Sequence, residues 1–331
     1  MTDSELNSVA PSQFFEFSKL TGLKACVDLG GSKVAVTLAN NAGLHARRIE
    51  ATAKVGLNNA IAQQIIRMVT ESCELIGFHP KEVDAIGVAS CGPFVLKNGL
   101  VELAAPNICG GLAGKARGLP NDWSTVLLEA PLKAIFHGVR VENDGSAALE
   151  AERRWGALQG INNCAYVTWS TGIGMGLCVD GQILRGKNGN AGHAGHMFVS
   201  DNDDALCGCG SVGDVESLIA GNAIPRRFGA EGYTDAAILI EAAKLGNARA
   251  CDIVDDLCRV MGRTLFNMIV TLDLQRISLG GSVFWHHRDF LLPKLQVAIS
   301  GKLPALTADC ELVPAGLGEY VGDCGALALV V

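Results

Sequence analysis

Three glycine turns each follow an apolar run: Asp28-Leu29-Gly30-Gly31-Ser32-Lys33, Ser170-Thr171-Gly172-Ile173-Gly174 and Gly280-Gly281-Ser282. Paired glycines let the backbone bend sharply and aim amide N–H groups at a phosphate. Asp28, closing the first run, is placed to meet a phosphate-bound Mg²⁺. Each turn alone reads as an ordinary hairpin, but three of them behind apolar strands favour a nucleotide site. None is a Walker A loop, because Gly110–Lys115 has the wrong glycine spacing and an alanine after the lysine. None has the G-x-G-x-x-G spacing, which argues against a dinucleotide fold.

Asn143-Asp144 follows a short strand and precedes a helical pattern. A carboxylate there can take a proton from an attacking hydroxyl while the amide orients the acceptor. Locally, Asp144 or Ser146 serving only as a helix N-cap explains the pattern equally well. The densest polar cluster is His193-Ala-Gly-His196, then Cys207-Gly-Cys209, then Asp214 and Glu216. Imidazole and thiolate are zinc ligands, and C-x-C can place two sulfurs on one metal. Most C-x-C pairs without a second Cys pair hold no metal, so spacing alone leaves zinc open.

The elements that must position these groups follow from pattern and composition. The chain has 331 residues, 49% hydrophobic, 40 of them Gly, enough for two domains or one large α/β unit. Its charge of −7 gives no footprint for nucleic acid or an anionic membrane. No run reaches the ~18 apolar residues of a membrane span, and residues 1–20 lack a signal-peptide pattern. Of the 12 Cys, Cys26, Cys91, Cys164 and Cys178 lie in apolar runs, where Cys behaves as a small buried hydrophobe, so a reduced, cytoplasmic protein is expected.

Residues 1–23 read as a loose N-terminal extension. From residue 25, strand, Gly-Gly turn, strand, Asn-Asn-Ala-Gly turn and third strand form a meander. Ile61, Ile65, Ile66, Val69, Cys73 and Ile76 make one helical face over 58–77, with Asn58 or Asn59 as cap. Residues 91–125 read as irregular. The meander pattern returns over 164–185, so the same unit occurs twice, about one domain apart. Residues 234–275 read as mostly helical.

Taken together, these motifs resemble those of the ASKHA superfamily of sugar kinases, Hsp70 and actin. Asp28–Lys33 is similar to its first phosphate motif, Ser170–Gly174 to its second, and Gly280–Ser282 to its adenosine motif. GNAGHAGHM followed by CGCGSVGDVE resembles the signature of the ROK family of repressors, open reading frames and kinases. The resemblance runs from about residue 24 to the C-terminus. It implies an α/β protein of two RNase H-like, actin/hexokinase-type lobes around a central cleft. The lobes would be 24–140, joined by a C-terminal helix at 322–331, and 141–321, carrying a zinc-type insert at 192–216.

The resemblance further implies an ATP-dependent hexose kinase using Mg²⁺, with Asp144 as general base. Asn107, Asn143, His193, His196 and Glu216 would join Asp144 on the sugar, and Gly30, Gly31, Ser32, Lys33, Thr171, Gly172 and Gly281 would join Asp28 along ATP. His196, Cys207, Cys209 and Asp214 would be the zinc ligands. Two positions depart from the family: His193 stands where a Glu is usual, and Asp214 where the third zinc Cys is usual. Neutral His offers one acceptor nitrogen and one donor where Glu offers only acceptors, so an N-acetylhexosamine or C7-cyclitol is an alternative substrate. A non-catalytic sugar-responsive protein is a further alternative, though Asp144 is retained. A repressor would need a DNA-binding module larger than the short extension, and the acidic balance opposes it. Sugar and ATP are thus the expected partners, not nucleic acid or membrane, and the family implies a homodimer.

Overall fold

A computed structural model describes residues 15–113, 118–201 and 205–331. The chain divides into two compact units. The first runs to Trp155 and takes back Arg185–Asn190 and Tyr320–Val331; the second comprises Gly156–Leu184 and Ala191–Glu319.

The first unit is built on β1 (Leu23–Leu29), β2 (Lys33–Asn40), β3 (Gly43–Ala51), β4 (Val83–Ser90) and, after three short strands, β8 (Gly138–Asn143). Their order is β3-β2-β1-β4-β8. The first three are antiparallel, and β4 and β8 add in parallel. Central β1 is almost wholly buried, whereas edge strand β3 alternates toward solvent, as expected of central and edge positions. The helix Ala60–Leu75 buries Ile61, Ile65, Met68, Val69 and Cys73 against this sheet. Asn59 is its N-cap residue, although its side chain makes no capping bond.

The stretch read as irregular contains β5 (Phe94–Lys97), β6 (Leu100–Leu103) and β7 (Val126–Leu127), a small second sheet. Its signal was present: Asn98-Gly99 sits between two apolar runs, and both residues have positive φ (53° and 75°), the type I′ hairpin turn. Asn190 explains why Arg185–Asn190 belongs here. Its side chain accepts from the Phe94 N–H and donates to the Phe94 carbonyl, each at 2.7 Å.

The extension also differs from its reading. Residues 1–14 lie outside the described residues, but Phe17 and Leu20 are buried with Ala147, Leu327 and Leu329. Phe15 and Trp155 meet edge to face, 5.1 Å apart. Apolar burial therefore anchors the part of the extension that is described. The helix Val321–Ala328 packs beside the helix Asp144–Trp155 within this unit, with Gly325 against the Ala147 backbone.

The second unit repeats the plan with β9 (Cys164–Trp169), β10 (Ile173–Val179), β11 (Gln182–Ile183), β12 (Arg276–Gly280) and β13 (Glu311–Pro314). The order is β11-β10-β9-β12-β13, again an antiparallel meander with two parallel additions. The long helix Ala248–Leu272 buries Ile253, Val254, Leu257, Met261 and Leu265 in the same core as its strands. Two copies of this five-strand plan make the α/β fold expected from the paired meanders. All twelve cysteines are free. Among the described residues no helix is long and apolar enough to cross a membrane.

Candidate active site

The division falls after Trp155 rather than at residue 140, so Asn143 and Asp144 belong to the first unit. That unit therefore carries Asp28, Gly30–Lys33, Asn107, Asn143 and Asp144. The second carries Thr171, Gly172, His193, His196, Cys207, Cys209, Asp214, Glu216 and Gly281.

In the first unit, the β1–β2 turn is closed by the Gly30 N–H donating to the Lys33 carbonyl at 2.9 Å. Thr52, just past β3, donates its hydroxyl to the Gly30 carbonyl (2.8 Å) and its N–H to the Ser32 carbonyl (3.0 Å). Ser32 and Lys33 remain exposed. Gly31 is closely approached: a Cβ there would stand 2.2 Å from Asn107 Nδ2, so that side chain would have to shift. Asp28, half-buried on β1, has its carboxyl held above the usual range, first by burial and then by Asp323. Asp323 is tied to Thr37 Oγ1 at 3.4 Å and to Arg47 at 3.3 Å.

Where β8 runs into the helix Asp144–Trp155, buried Asn143 Oδ1 accepts the Gly145 N–H at 3.0 Å, and Asp144 Oδ1 accepts the same N–H at 2.8 Å. Asp144 is the first helical residue, and Asn143 makes the capping bond to the Gly145 N–H. Ser146 is buried inside the first turn and is not the cap. Asp144 remains half-buried. Cys91, whose N–H donates to the Leu29 carbonyl, sits among the charges: burial, then Asp144, push its thiol up, Lys54 opposes this, and Asp28 adds to it. Two carboxylates and an ammonium thus act electrostatically on one thiol.

Lys54 and Asn121 were not singled out in the sequence, and Cys91 was read only as a buried apolar position. Lys54 sits in a Thr-Ala-Lys segment after an edge strand, and local pattern offers no signal for its long-range contacts. Its Nζ donates to the Gly31 and Asn107 carbonyls, both at 2.7 Å, and burial lowers its ammonium from the usual lysine range.

In the second unit, the β9–β10 turn is closed by the Ser170 N–H donating to the Gly172 carbonyl at 3.0 Å. Gly221 and Asn222 N–H groups donate to the Ser170 and Thr171 carbonyls at 2.8 and 3.1 Å. The third glycine turn meets the second: Ser170 and Ser282 hydroxyls are 3.0 Å apart. Gly281, at φ +85°, stands where a Cβ would come within 2.6 Å of Thr168 and the Trp169 backbone. Thr171 is exposed beside them.

The His/Cys segment comes together as a compact group. His196, ending the short 3₁₀ turn Ala194–His196, presents Nδ1 3.2 Å from Asp214 Oδ2. This hydrogen bond raises His196 to about 9 against the opposing effect of burial. Asp214 is fully buried. Burial would raise its carboxyl, but the His196 and Ser217 bonds prevail and hold it below the usual range. Its other oxygen, Oδ1, accepts the Ser217 N–H at 2.7 Å and caps the helix Val215–Ile219. Cys207 Sγ is 3.7 Å from His196 Nδ1, and Cys209 Sγ is 3.7 Å from Asp214 Oδ2. One donor atom from each of these four residues lies within 4.8 Å of the others. Two sulfurs, one imidazole nitrogen and one carboxylate oxygen fit a four-coordinate zinc ion. His193 begins the turn, its ring stacked on His196 with centroids 6.3 Å apart. Glu216 Oε2 accepts the Ile173 N–H at 3.0 Å.

A family model described as "ROK family" matches residues 24–331. Among curated proteins, a glucokinase of Aeropyrum pernix is 28% identical over 324 residues, covering 92% of this chain and 95% of its own. An N-acetylmannosamine kinase of Haemophilus influenzae is 26% identical over 306 residues, covering 91% and 92%. Among solved structures, a ROK glucokinase from Streptomyces griseus, in complex with glucose and AMPPNP, superposes with a TM-score of 0.69. It is 27% identical and covers 92% of this chain and 98% of that one.

Proposed function

This chain belongs to the ROK family, and on that premise we propose that it is an ATP-dependent sugar kinase transferring the γ-phosphoryl group to a hydroxyl of a glucose-like hexose. The observation that carries the reading is the Asn143-Asp144 step. Asn143 makes the helix-capping bond beside Asp144, and half-buried Asp144 acts together with Asp28 on the Cys91 thiol. Helix capping alone does not require that company.

In this reading Asp144 accepts the proton of the attacking hydroxyl, and the amide of Asn143 orients the sugar beside it. Asn107, His193, His196 and Glu216 hold further hydroxyls. Amide groups of the Gly30–Lys33, Thr171–Gly172 and Gly281 turns would receive the nucleotide, and Asp28 would hold Mg²⁺. Mg²⁺ supplies neutralisation of charge developing on the phosphoryl oxygens. A zinc ion held by His196, Cys207, Cys209 and Asp214 would fix the segment that presents His193 and Glu216. We place the protein in the cytoplasm as a homodimer, with no nucleic-acid or membrane partner.

An N-acetylhexosamine is the second reading. His193 supports it, because it changes the hydrogen-bond pattern offered to the sugar, and so does the similarity to an N-acetylmannosamine kinase. The test is ADP release from MgATP with glucose, mannose, fructose, N-acetylglucosamine, N-acetylmannosamine and a cyclitol. Glucose-dependent release supports the first reading and N-acetylhexosamine-dependent release the second. No release with any sugar from folded protein would overturn both.

A further inference from the structure

A strap formed by Thr52–Gly56 links the β1–β2 turn to the segment around Asn107 and Asn121. At one end Thr52 holds the β1–β2 turn through the Gly30 and Ser32 carbonyls. At the other, Trp123 Nε1 donates to the Gly56 carbonyl at 3.0 Å. In the middle, Asn121 Nδ2 donates to the Lys54 carbonyl at 2.9 Å and to the Ile108 carbonyl at 3.1 Å, while Asn121 Oδ1 accepts the Gly110 N–H at 2.8 Å. The strap and the Asn107 loop are therefore sewn together by one amide.

The Lys54 side chain completes the connection. Its ammonium spans from the Gly31 carbonyl to the Asn107 carbonyl, 2.7 Å to each. Gly31 also lacks a Cβ where Asn107 Nδ2 packs. A displacement of the glycine turn must therefore move the Asn107 loop or break a charge-assisted bond. We propose that Lys54 is a positioning residue that couples the nucleotide turn to the sugar loop, so that occupancy of one site strengthens binding at the other.

This inference rests on the kinase reading and fails separately from it. The two aligned carbonyls account for two of the three ammonium hydrogens, which makes the side chain a tie between backbone segments rather than a free phosphate ligand. Coupling between two ligands is a free energy shared reciprocally by both sites. It is read by binding, independently of turnover.

The experiment measures the dissociation constant of AMPPNP-Mg²⁺ with and without the sugar that supports ADP release, in wild type, Lys54→Met and Lys54→Arg. Wild type is expected to bind the nucleotide at least ~5-fold more tightly with sugar, the lower end of ordinary coupling. Lys54→Met is expected to reduce that ratio to near one while each ligand still binds alone. Lys54→Arg, which keeps a cation with several donors, is expected to retain most of it. If Lys54→Met unfolds, Lys54→Gln, which keeps one donor without charge, is read in its place and is expected to lose at least half of the coupling. An unchanged ratio in the Met or Gln variant overturns the proposal. So does an active wild type with no coupling, or a variant that loses nucleotide affinity equally with and without sugar, which would mark Lys54 as a direct phosphate contact. A wild type without sugar-dependent turnover fails the kinase reading itself.

Discussion

The carboxylate of Glu216 lies directly on the second glycine turn: Oε2 accepts the Ile173 N–H at 3.0 Å, and a Cβ on Gly172 would stand 2.7 Å from it. A side chain assigned to the sugar and a turn assigned to the nucleotide thus share one contact within the second unit. In the first unit the same relationship joins Asn107 and Gly31. Gly172→Ala must push Glu216 aside or shift the turn. The expected outcome is a fall of ~10- to 100-fold in kcat/KM for the sugar, the range in which small misplacements act. Steady-state kinetics with sugar and ATP varied separately check it. An unaltered sugar KM and kcat would separate Glu216 from substrate binding.

The doubled meander was legible because buried strands and glycine turns leave a local signature, as in Val27–Leu29 before Gly30 and Val167–Trp169 before Ser170. The His196, Cys207, Cys209 and Asp214 group was legible as a cluster of ligand-type residues. Lys54 was not, because its meaning lies in two backbone carbonyls, one 23 and the other 53 positions away. Carbonyls carry no sequence identity. The Asn98-Gly99 hairpin was legible but lost among the other Gly and Pro residues of that stretch. Phe17 and Leu20 were missed because a single buried turn has too few apolar positions to establish a period.

Asp28 provides a pH signature. Its carboxyl is raised, first by burial and then by Asp323. A group with a raised folded-state pKa favours the folded state fully below its unfolded value, and that contribution is lost as pH rises through the folded value. Ionised Asp28 therefore weighs against folding at neutral pH. Asp28→Asn is expected to raise Tm over wild type at pH 7 and to lose that advantage as pH falls below the ordinary carboxylate range. MgATP turnover should drop at least ~100-fold, the scale of losing a metal-assisted contact. Thermal melts across pH, paired with kinetics, test both; a variant less stable than wild type at pH 7 would contradict the burial argument.

The metal prediction turns on Asp214. Protein purified without chelator is expected to carry about one zinc per chain by elemental analysis. Asp214→Cys supplies a third thiolate and should hold zinc against a higher chelator concentration. It should also lower Tm slightly, since Asp214 Oδ1 caps a helix through Ser217, a contact of ~1 kcal/mol. Metal-free wild type, or a Cys variant that releases zinc more readily, would show that these four residues form a hydrogen-bonded cluster without a metal role.

In the proposed mechanism Asp144 is the general base, and it offers the sharpest test of that reading. Asn143 Oδ1 accepts the Gly145 N–H independently of Asp144, so removing the carboxylate should leave the helix start in place. Asp144→Ala is then expected to lower kcat by at least ~100-fold, the range of a lost general base, with sugar binding weakened much less and the melting curve close to wild type. Asp144→Asn keeps the size and polarity but cannot accept the proton, so it should be equally slow. That pairing separates proton transfer from packing. If Asp144→Asn retained near-normal turnover, the hydroxyl would be losing its proton elsewhere, and Asp144 would be left as a polar first-turn residue beside the Asn143 cap.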